Sequence, residues 1–169
     1  MIDINSIWES LIKGLNAQYT NYTYIKANQE GNLPSFPYIT INCLTPYKQD
    51  KDDMRGTITR KAVENDDTKV QINRIEEPQM IFSFNAYSDD QDECLQVLRD
   101  TINYLIFSGQ QYLQSCGIVV LGCSPITDRT SWLEVEFQYK WGFDLTIRVL
   151  DTISMQVDTI ESVETINEG

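Results

Sequence analysis

Imidazole chemistry is closed to this chain of 169 residues, because the sequence contains no histidine. That absence removes Ser-His-Asp and Cys-His catalysis, histidine general bases and most transition-metal sites together. Paired carboxylates do occur, among them Asp52-Asp53, Asp66-Asp67, Asp89-Asp90 and Asp92-Glu93. Clustered carboxylates can hold Mg²⁺ or Ca²⁺ through oxygen. Neither "DDMRG" nor "SDDQDE" has EF-hand spacing, however. A turn and an acidic helix start account for them without a metal. Glu134 and Glu136 stand two apart on one face of a strand, a pair that could serve glycoside hydrolysis. Nothing else in the chain suggests a sugar cleft, and solvent-facing strand residues are the simpler account. The eight glycines form neither G-x-x-x-x-G-K nor G-x-G-x-x-G, and no G-x-S-x-G elbow occurs. No catalytic, cofactor-binding or metal-ligating residue is assigned, and no cofactor is expected.

The four cysteines, Cys43, Cys94, Cys116 and Cys123, contain no C-x-x-C pair. They are expected as small buried hydrophobes, not as a zinc site. The opening "MIDINSIWES" has no basic region followed by an apolar core, so no signal peptide is expected. No apolar run approaches the ~20 residues that span a membrane. The expectation is a protein cytosolic where it is made. The net charge is −12, from 25 acids against 13 bases. Binders of nucleic acid show the opposite balance, since phosphate contacts come from Lys and Arg. An acidic wall that DNA slides past without sticking is still allowed.

The length fits one domain, residues 1–169, able to fold without disulfides or metal. Residues 6–16 predict a first helix: Ile7, Trp8, Leu11, Ile12 and Leu15 share one face, with Asn5 or Ser6 as cap and Glu9 completing a capping box. "TYIKANQ" is a short strand, and "EGNLPSFP" turns the chain into the half-buried strand "YITINCLTPY". "QMIFSFNAYS" is the expected central strand, with Met80, Phe82, Phe84 and Ala86 on one face. Ser88 starts a second helix, whose stripe is Cys94, Leu95, Leu98, Ile102, Leu105 and Ile106. "IVVLGC" is a buried strand candidate, and "WLEVEFQY" begins the last strand system.

Two regions depart from this plan. Residues 48–74 hold seven bases and six acids, a net +1 that leaves −13 for the rest. "GTITRKAV" and "TKVQINRI" flank the turn "ENDD" and predict a hairpin within residues 48–77, charged on both faces and projecting. In residues 141–160, "WGFDLTIRVLDTISMQVDTI", strand alternation continues far beyond the usual five or six residues. Its second half, opening residues 151–169, either folds back by a turn near Leu150-Asp151 or is extended chain offered to a neighbour. The fold class is α+β: a largely antiparallel, mixed sheet with two main helices packed on one face and a projecting β-hairpin. Residues assigned to an assembly interface are Arg55, Arg60, Lys61, Lys69 and Arg74 on the hairpin, with Ile153, Met155, Val157 and Ile160 beyond it.

The order of these features resembles the tail terminator (neck terminator) proteins of tailed bacteriophages and phage-tail-like particles. The resemblance is carried by "IWESLIKGL", "LPSFPYITIN", "QMIFSFNAYSDD" running into "DECLQVLRDTINYL", "SCGIVVLG" and "YKWGFDLTIRV", and covers most of the chain. It implies a non-enzymatic virion protein of the tail and neck, assembled in the host bacterial cytoplasm. It also implies a ring, usually of six copies, that caps the tail tube, stops its polymerisation and joins the head's neck. The implied partners are the chain itself, the tail tube protein, a neck or head-completion protein and, in contractile particles, the sheath. DNA would pass through the lumen unbound, and no membrane is involved. The alternatives are another head–tail joining or tail-completion protein, or a cytosolic adaptor unrelated to phage.

Overall fold

The computed structural model describes residues 3–29, 31–49, 56–64, 66–130 and 138–158. Arg55, Asp52-Asp53, Ile160, Glu134 and Glu136 lie outside these residues, as does most of "WLEVEFQY".

Helix α1 (Ile4–Gln18) buries Ile7, Leu11 and Leu15. Asp3, not Asn5 or Ser6, caps it, its carboxylate accepting from the Asn5 amide at 3.0 Å. The earlier start adds Ile4 to the face packed on the core. Helix α2 (Gln91–Asn103) buries Cys94, Val97, Leu98 and Thr101. Its cap is Asp90, which accepts from the Asp92 amide at 2.8 Å. Ser88 stands just outside: its hydroxyl accepts from the Asp90 amide and donates to the Glu93 carboxylate. Asp92 and Glu93 in the first turn suit the helix dipole.

A single wider π turn, Tyr104–Ser108, then separates α2 from the short helix α3 (Gln110–Ser115). Tyr104 and Leu105 are buried there. The Tyr104 ring occupies the space that side chains at Gly14 and Gly109 would fill. The altered winding turns Ile106 outward, against the stripe expected from regular helix spacing.

Six strands form the main sheet: β1 (Thr23–Lys26), β2 (Tyr38–Lys48), β5 (Gln79–Ser88), β6 (Ile118–Cys123), β7 (Thr127–Asp128) and β8 (Tyr139–Val149). The order is β1-β2-β5-β8-β6, with β7 also on β8; β1 and β2 are parallel and the other pairs antiparallel. Directly paired residues share a face. Met80 opposite Ile147, Phe82 opposite Leu145 and Phe84 opposite Phe143 therefore make one apolar face, all fully buried. The helices cover this face, and Phe84 and Phe143 stack with ring centroids 5.1 Å apart.

On the other face the Arg129 guanidinium bonds Ser83 at 2.6 Å, Asn85 at 3.0 Å and Asp144 at 3.0 Å. That contact clasps the crossing loop to β5 and β8. Strand β6 is an edge, not a buried strand: Ile118 faces the core while Val119 and Leu121 are exposed. Among the cysteines, Cys94 is buried, Cys43 and Cys123 are half-buried and Cys116 is exposed. Burial pushes the Cys94 and Cys123 thiols up to about 11.

A second sheet, in the order β3-β4-β9, contains β3 (Thr57–Val63), β4 (Asp66–Glu76) and β9 (Asp151–Asp158), all antiparallel. None of the buried hydrophobic residues lies in it. The chain passes from β8 to β9 through Leu150 alone, and from β4 to β5 through Glu77 and Pro78. The pairs Gln79–Arg148 and Glu76–Asp151 flank this junction. Two long strands thus run side by side out of the main sheet and into the second, which accounts for the alternation across residues 141–158. Pro78, which has no amide hydrogen, marks the change of sheet. Its carbonyl instead accepts from the Val149 amide at 3.1 Å.

Candidate assembly surface

The second sheet is a three-stranded arm, not the lone hairpin expected from residues 48–77. Strand β9 supplies the third strand, with Val157 opposite Val70, Met155 opposite Ile72 and Ile153 opposite Arg74. The C-terminal alternation therefore has a partner within the chain as far as Asp158. That partner was hidden because it lies some eighty residues earlier.

Pairing also sorts the arm's side chains by face. Ile58 stands opposite Arg74, Arg60 opposite Ile72, and Ala62 opposite Val70. One face therefore carries Ile58, Ala62, Val70, Ile72, Ile153, Met155 and Val157, interrupted by Arg60 and Arg74. The other carries Thr57, Thr59, Lys61, Lys69, Gln71, Asn73, Thr152, Ser154 and Gln156, with Ile75 its one large apolar residue. On this polar face the Asn73 side-chain oxygen accepts from Gln71 at 2.8 Å and Ser154 at 2.7 Å. The arm is amphipathic, with Arg60 and Arg74 on the apolar face and Lys61 and Lys69 on the polar one. The hairpin alone shows only Ile58, Ala62, Val70 and Ile72; the three apolar residues of β9 complete the stripe.

Of the residues assigned to an interface, the fold brings Arg60, Arg74, Ile153, Met155 and Val157 onto the apolar face. Lys61 and Lys69 stand on the polar one. Lys69 pairs with Asp66 at 3.3 Å. Arg55 and Ile160 lie outside the described residues.

Among the described residues no helix covers the apolar face: Ile58 is 54% exposed and Met155 57%. Surface of this kind marks an interaction site on a soluble protein. The two outer strands, β3 and β9, also end the small sheet without a further strand. Open edges of this type accept a strand from another chain.

The root of the arm is polar and tightly tied. Glu76 is almost fully buried; it takes an ion pair from Arg74 at 2.5 Å and a hydrogen bond from the Tyr47 hydroxyl at 3.0 Å. Burial, and then the Glu76 carboxylate, raise the Tyr47 phenol above its ordinary value. Arg148 reaches Glu77 at 3.2 Å across the same junction. At the far end, hydrogen bonds from the Thr68 hydroxyl and amide hold the Asp66 carboxyl below the usual value. The root is therefore braced by charge-assisted bonds and the tip by a local turn, with the apolar face between them.

Elsewhere the chemistry is sparse. A cleft of about 400 Å³ beside β1 and β2 is lined by Lys26, Asn28, Tyr38, Tyr87 and Gln138 among others, with no carboxylate pair among the described residues. No group of three or more His, Cys, Asp or Glu is placed to hold a metal ion among the described residues. No described helix is long and apolar enough to cross a membrane.

Comparison with known proteins bears on this arrangement. No curated protein matches the chain. A family model described as phage neck terminator protein matches residues 3–169, nearly its full length.

Proposed function

We propose a function for a chain that belongs to the phage neck terminator family: it closes into a ring on the end of the tail tube. That family is one of structural proteins of the phage tail and neck, which work by contact with other phage proteins. The ring, of six copies in this reading, stops tube polymerisation and presents the surface that joins the neck or head-completion protein. In a contractile particle it also meets the last sheath ring. It acts in the virion after assembly in the bacterial cytoplasm. The observation that carries this reading is the family match over almost the whole chain.

The physics of the fold supports it. A ring needs two different surfaces on each copy that fit one another and close. The arm and the body offer different surfaces. A net charge of −12 suits a lumen wall, because like charge repels the phosphate backbone and lets DNA pass without being held.

Native mass measurement and negative-stain microscopy of the purified chain, with and without tail tubes of its phage, test the proposal. A closed ring about as wide as a tube is expected, together with overlong tubes when the chain is omitted from tail assembly. A chain that stays monomeric at micromolar concentration and leaves tube length unchanged would sink the reading.

A further inference from the structure

Two apolar surfaces on different parts of this chain are left uncovered among the described residues. The first is the arm face of Ile58, Ile72, Ile153 and Met155. The second is on the body, where the π turn presents Phe107 at 82% exposure beside Ile106 at 46%. A π turn interrupts regular helix bonding and is found mainly where a local device is needed. Here it places two large apolar side chains in water immediately after two that are buried. Strand β6, which packs against this turn, adds exposed Val119 and Leu121.

The sequence around this second surface is unusual for so charged a chain. Between Asp100 and Asp128 there is no charged residue, although the chain carries 38 in all. This stretch spans the π turn, α3 and β6. Interface cores are depleted in charge in just this way, while the surrounding rim keeps it.

We propose that the apolar arm face of one copy seats on the Ile106–Phe107 surface of a second copy. The proposal rests on the ring reading and deepens it by naming the contact. Three observations favour a second copy as occupant. The two surfaces differ from one another, so their contact is head-to-tail and can propagate around a ring. Both are apolar, so each covers what the other exposes. The segment that contributes β3 and most of β4, residues 48–74, carries +1 against −13 for the rest, so the arm is steered toward a neighbouring body. Arg60, exposed on the docking face, lies at the rim of that contact and takes its charge from the acidic neighbour.

The test uses the full chain with two exposed-site substitutions, Phe107→Ser and Met155→Gln. Sedimentation and native mass spectrometry are run with and without tail tubes, and circular dichroism checks that each variant is folded. Each substitution is expected to raise the concentration needed for assembly about tenfold or more, as at an interface hot spot. Mixing the two variants restores one intact contact per pair, so a one-to-one heterodimer forms and nothing larger. Independently, Phe107→Cys mixed with Met155→Cys, both on a Cys116→Ser background, is expected to give a disulfide between chains on oxidation.

Assembly of both variants at the wild-type concentration, with no cross-link, overturns this contact and leaves the ring reading standing. Wild-type chain that never assembles, even on tubes, overturns both. Variants that form normal rings but no longer bind tubes make a tube subunit the occupant and overturn the proposal. So does a chain ending at Asp158 that assembles at a lower concentration than the full chain, since the chain's own tail then covers the arm face.

Discussion

The main sheet and the arm are built from the same two long strand paths, yet they treat their apolar faces differently. On the body side of the junction, Phe82, Phe84, Phe143 and Leu145 disappear under α1 and α2. On the arm side, Ile72, Ile153 and Met155 continue the same two-residue alternation with no layer above them among the described residues. The difference lies in the connections. Strand β5 leads directly into α2, and the chain must return over the sheet. Strands β3 and β4 are separated by two residues, too few to supply a helix. Alternation thus declares that a face is to be buried; it does not say by what. In the body the cover is the same chain. In the arm, on the contact proposed above, it is a second copy.

Truncating one apolar residue in each region tests this contrast most severely. Phe84→Ala removes half of a stacked, fully buried pair and is expected to cost about 3–5 kcal/mol in denaturant unfolding. Ile58→Ala, more than half exposed in the arm, is expected to change monomer stability by no more than about 0.5 kcal/mol. Equal losses would show that the arm belongs to the cooperative core.

Glycine gives a second, smaller contrast. A methyl at Gly142, in β8, would meet the Phe84 carbonyl at 2.5 Å. Gly142→Ala should therefore cost the whole body about 1–3 kcal/mol by overpacking. Gly56, at the foot of the arm, has φ +61° and lies against the Ile75 carbonyl. Gly56→Ala is expected to fray the start of β3, seen as faster amide exchange there, while β5 and β8 keep their protection. Uniform loss of protection in both sheets would refute a separate arm.

The smallest effect is one of acid. Hydrogen bonds from Thr68 to its charged form hold the Asp66 carboxyl below the usual carboxylate range. A lowered carboxyl contributes above its unfolded pKa, and the contribution is lost as pH falls through the folded value. Amide exchange at Thr68 should therefore quicken below about pH 4, before the body unfolds. Asp66→Asn is expected to weaken that dependence. An unchanged profile would remove Asp66 from the turn's support.

Much of the body was legible because its signals are local. The helical stripe of Ile7, Leu11 and Leu15 and the alternation of Met80, Phe82 and Phe84 follow from periods of 3.6 and 2. The expected caps lie two or three residues away because the Asp3 and Asp90 carboxylates, not Asn5, Ser6 or Ser88, accept from the first free amides. Ile106 was placed in the buried stripe because a π turn leaves no signature in spacing. The arm's apolar face escaped notice for a different reason: its stripe is divided between residues 58–72 and 153–157.

By itself, then, the sequence determined the absence of histidine chemistry, the acidic surface, the two amphipathic helices and the strand alternation. Each is a property of residue type or of neighbours a few positions apart. Only the tertiary structure decided that β9 joins β4, that β6 is an edge, and that Phe107 stands clear of the core. Those outcomes depend on which distant segments find one another, and on the burial each partner leaves undone.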